Sequence, residues 1–203
     1  MNECCAVIIE PGVQADPLAP APNTEIIDAL KHAAQSANLT CEPQIAPSGA
    51  VVFTVPSMNH VFALTLRMRL YVRPTLDLFM GVGWGAADAS LKIDDGGWQA
   101  AHQALRDVHA EIRHVHETRS LIVQAPHTSP IDLHVFNTLL RLRDHVIGRM
   151  KPRDRRITAM SLDGQMQQSI AEKEGISQPA VSQSLARSGG GAFVKIDRSR
   201  PRD

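Results

Sequence analysis

The segment Gln167 to Ser188, QQSIAEKEGISQPAVSQSLARS, gathers side chains suited to reading a nucleic-acid duplex. Gln178, Ser182, Gln183 and Arg187 would face outward from a single helix. A glutamine amide pairs a donor and an acceptor with the edge of adenine. An arginine fork suits guanine or a backbone phosphate, and a serine hydroxyl serves either. Arg153, Arg155 and Arg156, one helix earlier, together with Lys173, supply positive charge for the phosphate chain. The chemistry expected of this set is recognition of double-stranded DNA.

The residues between them carry the signals that would hold such a surface out. Ile170 and Ala171 fall on an apolar helix face, and Gly175 follows where the chain must turn sharply and a left-handed residue costs least. Ile176 would plug the angle between two helices. Ser177 is a natural N-cap, and Pro179 fits the first turn, where its missing N–H is no loss. Val181 and Leu185, four apart, pack back on the first helix, with small Ala171 permitting close crossing. This is a helix-turn-helix pattern over residues 166–188. An ordinary helical hairpin with a solvated glutamine and serine face is the plainer alternative. Turn, cap, core spacing and outward polarity agree with one another, which favours the DNA-reading surface.

Other chemistry-bearing residues point to less. Gly81-Val82-Gly83-Trp84-Gly85 lies along an expected strand rather than between a strand and a helix, so the glycines are expected to allow close packing and not to cradle phosphate. His109, His114 and His116 lack further ligands at matched spacing, and Cys4, Cys5 and Cys41 read as buried thiols on neighbouring strands of a reducing compartment. No catalytic, cofactor or metal site is expected.

These residues need a scaffold. Cys4 to Ile9 reads as a buried strand, and residues 13–22, with three prolines, as a loop. Asn23 would cap a helix with Ile26, Ile27, Leu30 and Ala34 on its face. Leu39 to Ala46 and Ala50 to Val55 would form a hairpin about Pro47-Ser48-Gly49. Ser57 would cap a second helix, Leu76 to Ala86 makes a strand, and Asp94-Asp95-Gly96-Gly97 a turn. Trp98 to about His114 makes a helix and Ser120 to Gln124 a last strand. The order β-α-β-β-α-β-α-β implies an α+β fold, a ferredoxin-like sandwich extended by one helix and one strand, with helices on one sheet face. It would occupy residues 1–125. Within APHTSP (residues 125–130) the linker takes 126–130, and an all-α domain would occupy 131–203, with regular structure ending at Gly189-Gly190-Gly191. The Asp132–Met150 helix, with Val135, Phe136, Leu139, Leu142, Val146 and Met150 on a stripe, suits either docking onto the first domain or a two-helix dimer seam. A homodimer is expected, because one small reader contacts few base pairs.

The whole chain has 203 residues, 21 basic and 21 acidic, with 43% apolar residues and three cysteines, which excludes disordered, collagen-like and disulfide-scaffold classes. Neutrality hides a split. Residues 1–140 hold 8 Lys/Arg against 14 Asp/Glu, whereas 141–203 hold 13 against 7, a balance of −6 joined to one of +6. Such asymmetry is expected when one end faces a polyanion. No run approaches a membrane span, and the opening MNECCAVIIEPG lacks the basic segment of a secretory signal, so a cytoplasmic protein is expected.

The helix-turn-helix resembles the DNA-binding region of sigma factors and LuxR-type regulators. Placed behind a strand-rich domain bearing MGVGWG and then DDGGWQAAHQAL, it makes the chain resemble the SatD-like proteins of bacteria. That resemblance implies a first domain similar to the catalytic fold of class III nucleotide cyclases and GGDEF enzymes. A cyclase site uses two carboxylates to hold two Mg²⁺ ions. Here Glu10 stands at the first position, the hairpin has no carboxylate, and Ala101-His102 replaces the family's Ala-Arg. The resemblance therefore implies a regulator with a catalytically silent cyclase-like domain for interaction or ligand sensing. Its rivals are an enzyme or nucleotide binder in which Glu10, Asp94 and Asp95 hold a cation, and an adaptor that touches RNA polymerase.

Overall fold

Val7 and Ile9 alternate with Ala6 and Ile8 along one strand, and all four are buried. A strand with both faces apolar must lie between two layers, because successive side chains point to opposite faces. The computed structural model, which describes residues 3–12, 21–88, 96–111 and 119–199, places this strand at the centre of the sheet. The elements run β1 (Glu3–Pro11), α1 (Pro22–Ala37), β2 (Gln44–Ile45), β3 (Val51–Val55), α2 (Met58–Tyr71), β4 (Leu78–Ala86), α3 (Gly96–Glu111) and β5 (Ser120–Gln124). The helices α4 (Leu133–Arg149), α5 (Pro152–Leu162), α6 (Gln167–Glu174), α7 (Gln178–Ser188) and α8 (Gly190–Arg198) follow. The described chain is thus a mixed α+β protein with a five-stranded sheet and eight helices.

The strands lie in the order β2-β3-β1-β4-β5, with β1 antiparallel to β3 and β4, and β5 parallel to β4. Cys5, Val7 and Ile9 face a core closed by α1 and α2, including Ile26, Leu30, Val61 and Leu64. Ala6 and Ile8 face Trp98, Ala101 and Leu105 of α3. Helices therefore cover both sheet faces, not the single face expected. The reason lies in β4. Gly81, Gly83 and Gly85 share one side of the strand, where α3 lies almost against the backbone, and a Cβ on Gly83 would overlap the Gly97 carbonyl oxygen. These glycines are packing residues, as their place along a strand suggests.

Local differences from expectation have physical causes. β2 is two residues long rather than eight, since Pro43 has no N–H to extend the ladder. The first helix starts at Pro22, so Asn23 is not its cap; the Asn23 amide instead donates to the Gly49 carbonyl at 2.7 Å and ties α1 to the hairpin. Regular structure does not end at the three glycines. Gly190 packs against Thr158 and begins α8, whose Phe193 and Val194 join Leu66, Leu70, Ile147, Met150, Ala159 and Leu162 in one core.

Buried polar groups also link the sheet layer to the later helices. Asn137 of α4 pairs with both the N–H (2.8 Å) and the C=O (3.1 Å) of Ile122, covering the β5 edge. The buried Arg143 guanidinium donates to Thr65 Oγ1 (2.5 Å), Ser120 Oγ (2.6 Å) and Asp144 Oδ1 (2.8 Å). Arg67, 1% exposed, forms a bidentate pair with Asp197 of α8 at 2.7 and 2.8 Å. The α4 stripe is only partly buried. Phe136, Leu140 and Ile147 dock inward, while Val135, Leu139 and Leu142 face solvent. No described helix is long and apolar enough to cross a membrane.

Candidate nucleic-acid interface

Helices α6 and α7 meet at Gly175-Ile176-Ser177. Gly175 ends α6 at φ 64°, ψ 38°, the left-handed region in which glycine carries no Cβ penalty. Its N–H and that of Ile176 return to the Glu172 and Ala171 carbonyls. Ser177 caps α7 by accepting from the Ala180 N–H at 3.4 Å, and Pro179 occupies the first turn. Ile170, Ala171, Val181 and Leu185 bury themselves with Ile157 of α5, and Ile176 packs on that cluster. Each local expectation for this segment has its counterpart in the geometry.

With that side of α7 buried, the opposite side is turned outward. Gln178, Ser182, Gln183 and Arg187 are all exposed, and the sheet layer does not cover them. They span about half of the helix circumference at the helical repeat of ~100° per residue. Arg187 keeps 68% of its side chain in solvent although its Nη2 lies 3.5 Å from Asp154 Oδ1. Asp154, itself nearly buried, also accepts from Ser184 Oγ at 2.5 Å and so holds the inner side of α7 against α5.

The cations expected to hold phosphate fare unequally. Arg153 and Arg156 are exposed at 60% and 56%, yet both turn toward Glu174. Arg156 forms a two-bond fork with it (2.8 and 2.7 Å), and Arg153 lies 3.9 Å away. The Arg156 hydrogen bond holds the Glu174 carboxyl below the usual carboxylate range, and Glu174 in turn raises Arg156. Lys173 is exposed and donates to Gln165 Oε1 at 2.7 Å. Arg155 does not belong with the others. Its guanidinium turns inward to the Arg69 and Val72 carbonyls at the end of α2, and burial, with help from the Arg69 charge, brings its pKa down to about 10.

Glu174 and Asp154 are the residues that sequence reasoning missed. They act across 18 and 30 residues of chain, on Arg156 and Ser184 respectively, and no local spacing announces such pairs.

Elsewhere, Glu10 lies 3.0 Å from His109 Nε2 on α3, and the Phe79 ring packs at a tilt of 55° against the same imidazole. Asp94, Asp95, His114 and His116 lie outside the described residues. Among the described residues no group of three or more histidines, cysteines and carboxylates could hold a metal ion. Cys5 is buried on β1 with its thiol pushed up by desolvation. Cys4 and Cys41 are only partly buried, and Cys41 is not on a strand, contrary to expectation, though burial still pushes its thiol to about 12. The chain matches no protein-family model, no curated protein and no solved structure.

Proposed function

We propose that this chain is a bacterial, cytoplasmic, sequence-specific DNA-binding transcription regulator that acts as a homodimer, with α6 and α7 as its helix-turn-helix. The observation that carries the reading is the orientation of α7. Its apolar side is fixed to α5 and α6 while Gln178, Ser182, Gln183 and Arg187 are presented together to solvent. The +6 balance of residues 141–203 supports a polyanionic partner.

The strand order β2-β3-β1-β4, with α1 and α2 on one face, supports the ferredoxin-like, cyclase-type reading of the sheet layer and the resemblance to SatD-like proteins. Glu10 is engaged by His109, and the turn Pro47-Ser48-Gly49 offers no second carboxylate, which supports a role in interaction or sensing rather than phosphoryl transfer. Val135, Leu139 and Leu142, exposed on successive turns of α4, support a seam between two copies.

Selection of bound fragments from genomic DNA, followed by titration of the recovered site, tests the reading. A two-fold symmetric site is expected, with affinity falling steeply as salt rises. Arg187→Ala should cost about 1–3 kcal/mol at that site. Recovery of no enriched fragment, or binding indifferent to both salt and Arg187, would remove DNA as the partner.

A further inference from the structure

A cavity of about 450 Å³ opens between the end of α2, the 72–77 loop, the end of α4 and the start of α5. It is remote in the chain from the outward side of α7. Four guanidinium groups line it, Arg69, Arg119, Arg149 and Arg155, against two carboxylates, Asp77 and Asp144. With His145 at its edge counted neutral, the walls carry an excess of two positive charges.

Burial makes this excess expensive. Arg69 is only 8% exposed; its Nε stands 3.5 Å from Asp144 Oδ1 and makes no hydrogen bond, and Arg155 Nε makes none either. Desolvation, opposed by Asp144 but reinforced by Arg143 and Arg119, lowers the Arg69 pKa. Buried donors left without an acceptor carry a desolvation cost, larger when they are charged. A ligand that satisfies this wall must bring a double negative charge and several acceptor oxygens.

We propose that this cavity binds a dianionic phosphate group, as inorganic phosphate or on a small phosphorylated metabolite. The anionic oxygens accept from the guanidinium groups of Arg69 and Arg155, with Arg149 and Arg119, the latter shared with Asp77, closing the charge at the rim. Sulfate offers the same charge and shape, whereas acetate brings a single charge. Arg155 adjoins Asp154, which holds Ser184 and Arg187, so the site backs directly onto the helix that supports α7. The inference does not depend on the DNA-binding reading.

Calorimetric titration of the full chain with inorganic phosphate near pH 7, in chloride of matched ionic strength, provides the test, with sulfate and acetate as parallel arms. Saturable binding of phosphate, with sulfate within a few-fold of it and acetate at least tenfold weaker, is the expected result. Arg149→Ala, at an exposed rim position, should weaken it several-fold while leaving the melting temperature in chloride unchanged. A glucose phosphate arm separates a free from an esterified ligand. Absence of saturable phosphate binding, acetate binding as tight as phosphate, or indifference to Arg149→Ala would overturn the proposal. Competition of phosphate with duplex DNA would also overturn it, since the cavity would then belong to a DNA surface. Phosphate binding in a chain that binds no DNA would refute only the regulator reading.

Discussion

Alternate glycines on β4 set the distance between the sheet and α3. Gly81, Gly83 and Gly85 share a face, and a Cβ on Gly81 or Gly83 would strike the backbone of α3 rather than the movable tip of a side chain. Backbone cannot yield without lifting Trp98, Ala101 and Leu105 of the helix from Ala6 and Ile8. Gly83→Ala should therefore destabilise the fold by about 3 kcal/mol or more, at or above the upper end of overpacking costs. Gly49→Ala makes the contrast, because nothing lies within 4 Å of that position and only its positive φ of 85° opposes a side chain. Urea denaturation of the two variants checks the order, and a Gly83 variant with the smaller loss would show that α3 is not held by backbone contact. At this scale the sequence was informative wherever a residue type has one physical use. The glycines in a strand, Gly175 at a helix end and Ser177 at a helix start read correctly. Arg155 did not, because an arginine serves equally as a phosphate clamp and as a donor to buried carbonyls, and only the position of α2 decides between them.

Between elements, Glu174 at the end of α6 holds two exposed arginines of α5. The fork stabilises the α5–α6 junction but also occupies guanidinium groups that would otherwise meet phosphate. Glu174→Gln should thus loosen the junction slightly and release Arg153 and Arg156. For a DNA-binding chain, affinity for random duplex should rise, and the dependence of log affinity on log salt should steepen by about 0.9 per arginine engaged. The stability change has a defined pH dependence. The Glu174 carboxyl titrates below its ordinary value of 4.5 in the folded chain, so its contribution is complete above that value and vanishes as pH falls through the lowered one. Melting temperatures of the native chain and the variant should differ at pH 7 and converge in strong acid. A constant gap across this range would mean that Arg156 does not depend on the Glu174 charge. Elements with strong internal periodicity, such as α4 and the α6–α7 pair, were legible from the sequence. α8 was hidden because three consecutive glycines argue locally against helix. What overrides them is tertiary, the burial of Phe193 and Val194 against Leu66 and Leu70.

For the molecule as a whole, proline-rich APHTSP looks like a boundary, yet the interactions across it are those of an interior. Leu66 and Leu70 of α2 share a core with Ile147, Met150, Leu162 and Phe193. Arg143 relies on Thr65 and Ser120, and Asp197 relies on Arg67. Cutting the chain before Ile131 would leave the helical part with an uncovered apolar face and a buried arginine stripped of two acceptors. It would leave the sheet part with Arg67 unpaired, and breaking a buried pair on one side costs about 3–5 kcal/mol, a large share of a typical domain's stability. A fragment of residues 131–203 should therefore show no cooperative thermal transition and a poorly dispersed ¹H–¹⁵N spectrum, whereas the full chain should unfold in one step reported alike by the fluorescence of Trp84 and Trp98 and by helical circular dichroism. Asp197→Asn in the full chain makes a gentler version of the same cut. It removes the charge across from Arg67 while keeping one acceptor, and it should lower the melting temperature without splitting the transition. Cooperative melting of the fragment within a few degrees of the intact protein would show that the shared core contributes little, and that the helical part stands as a unit of its own.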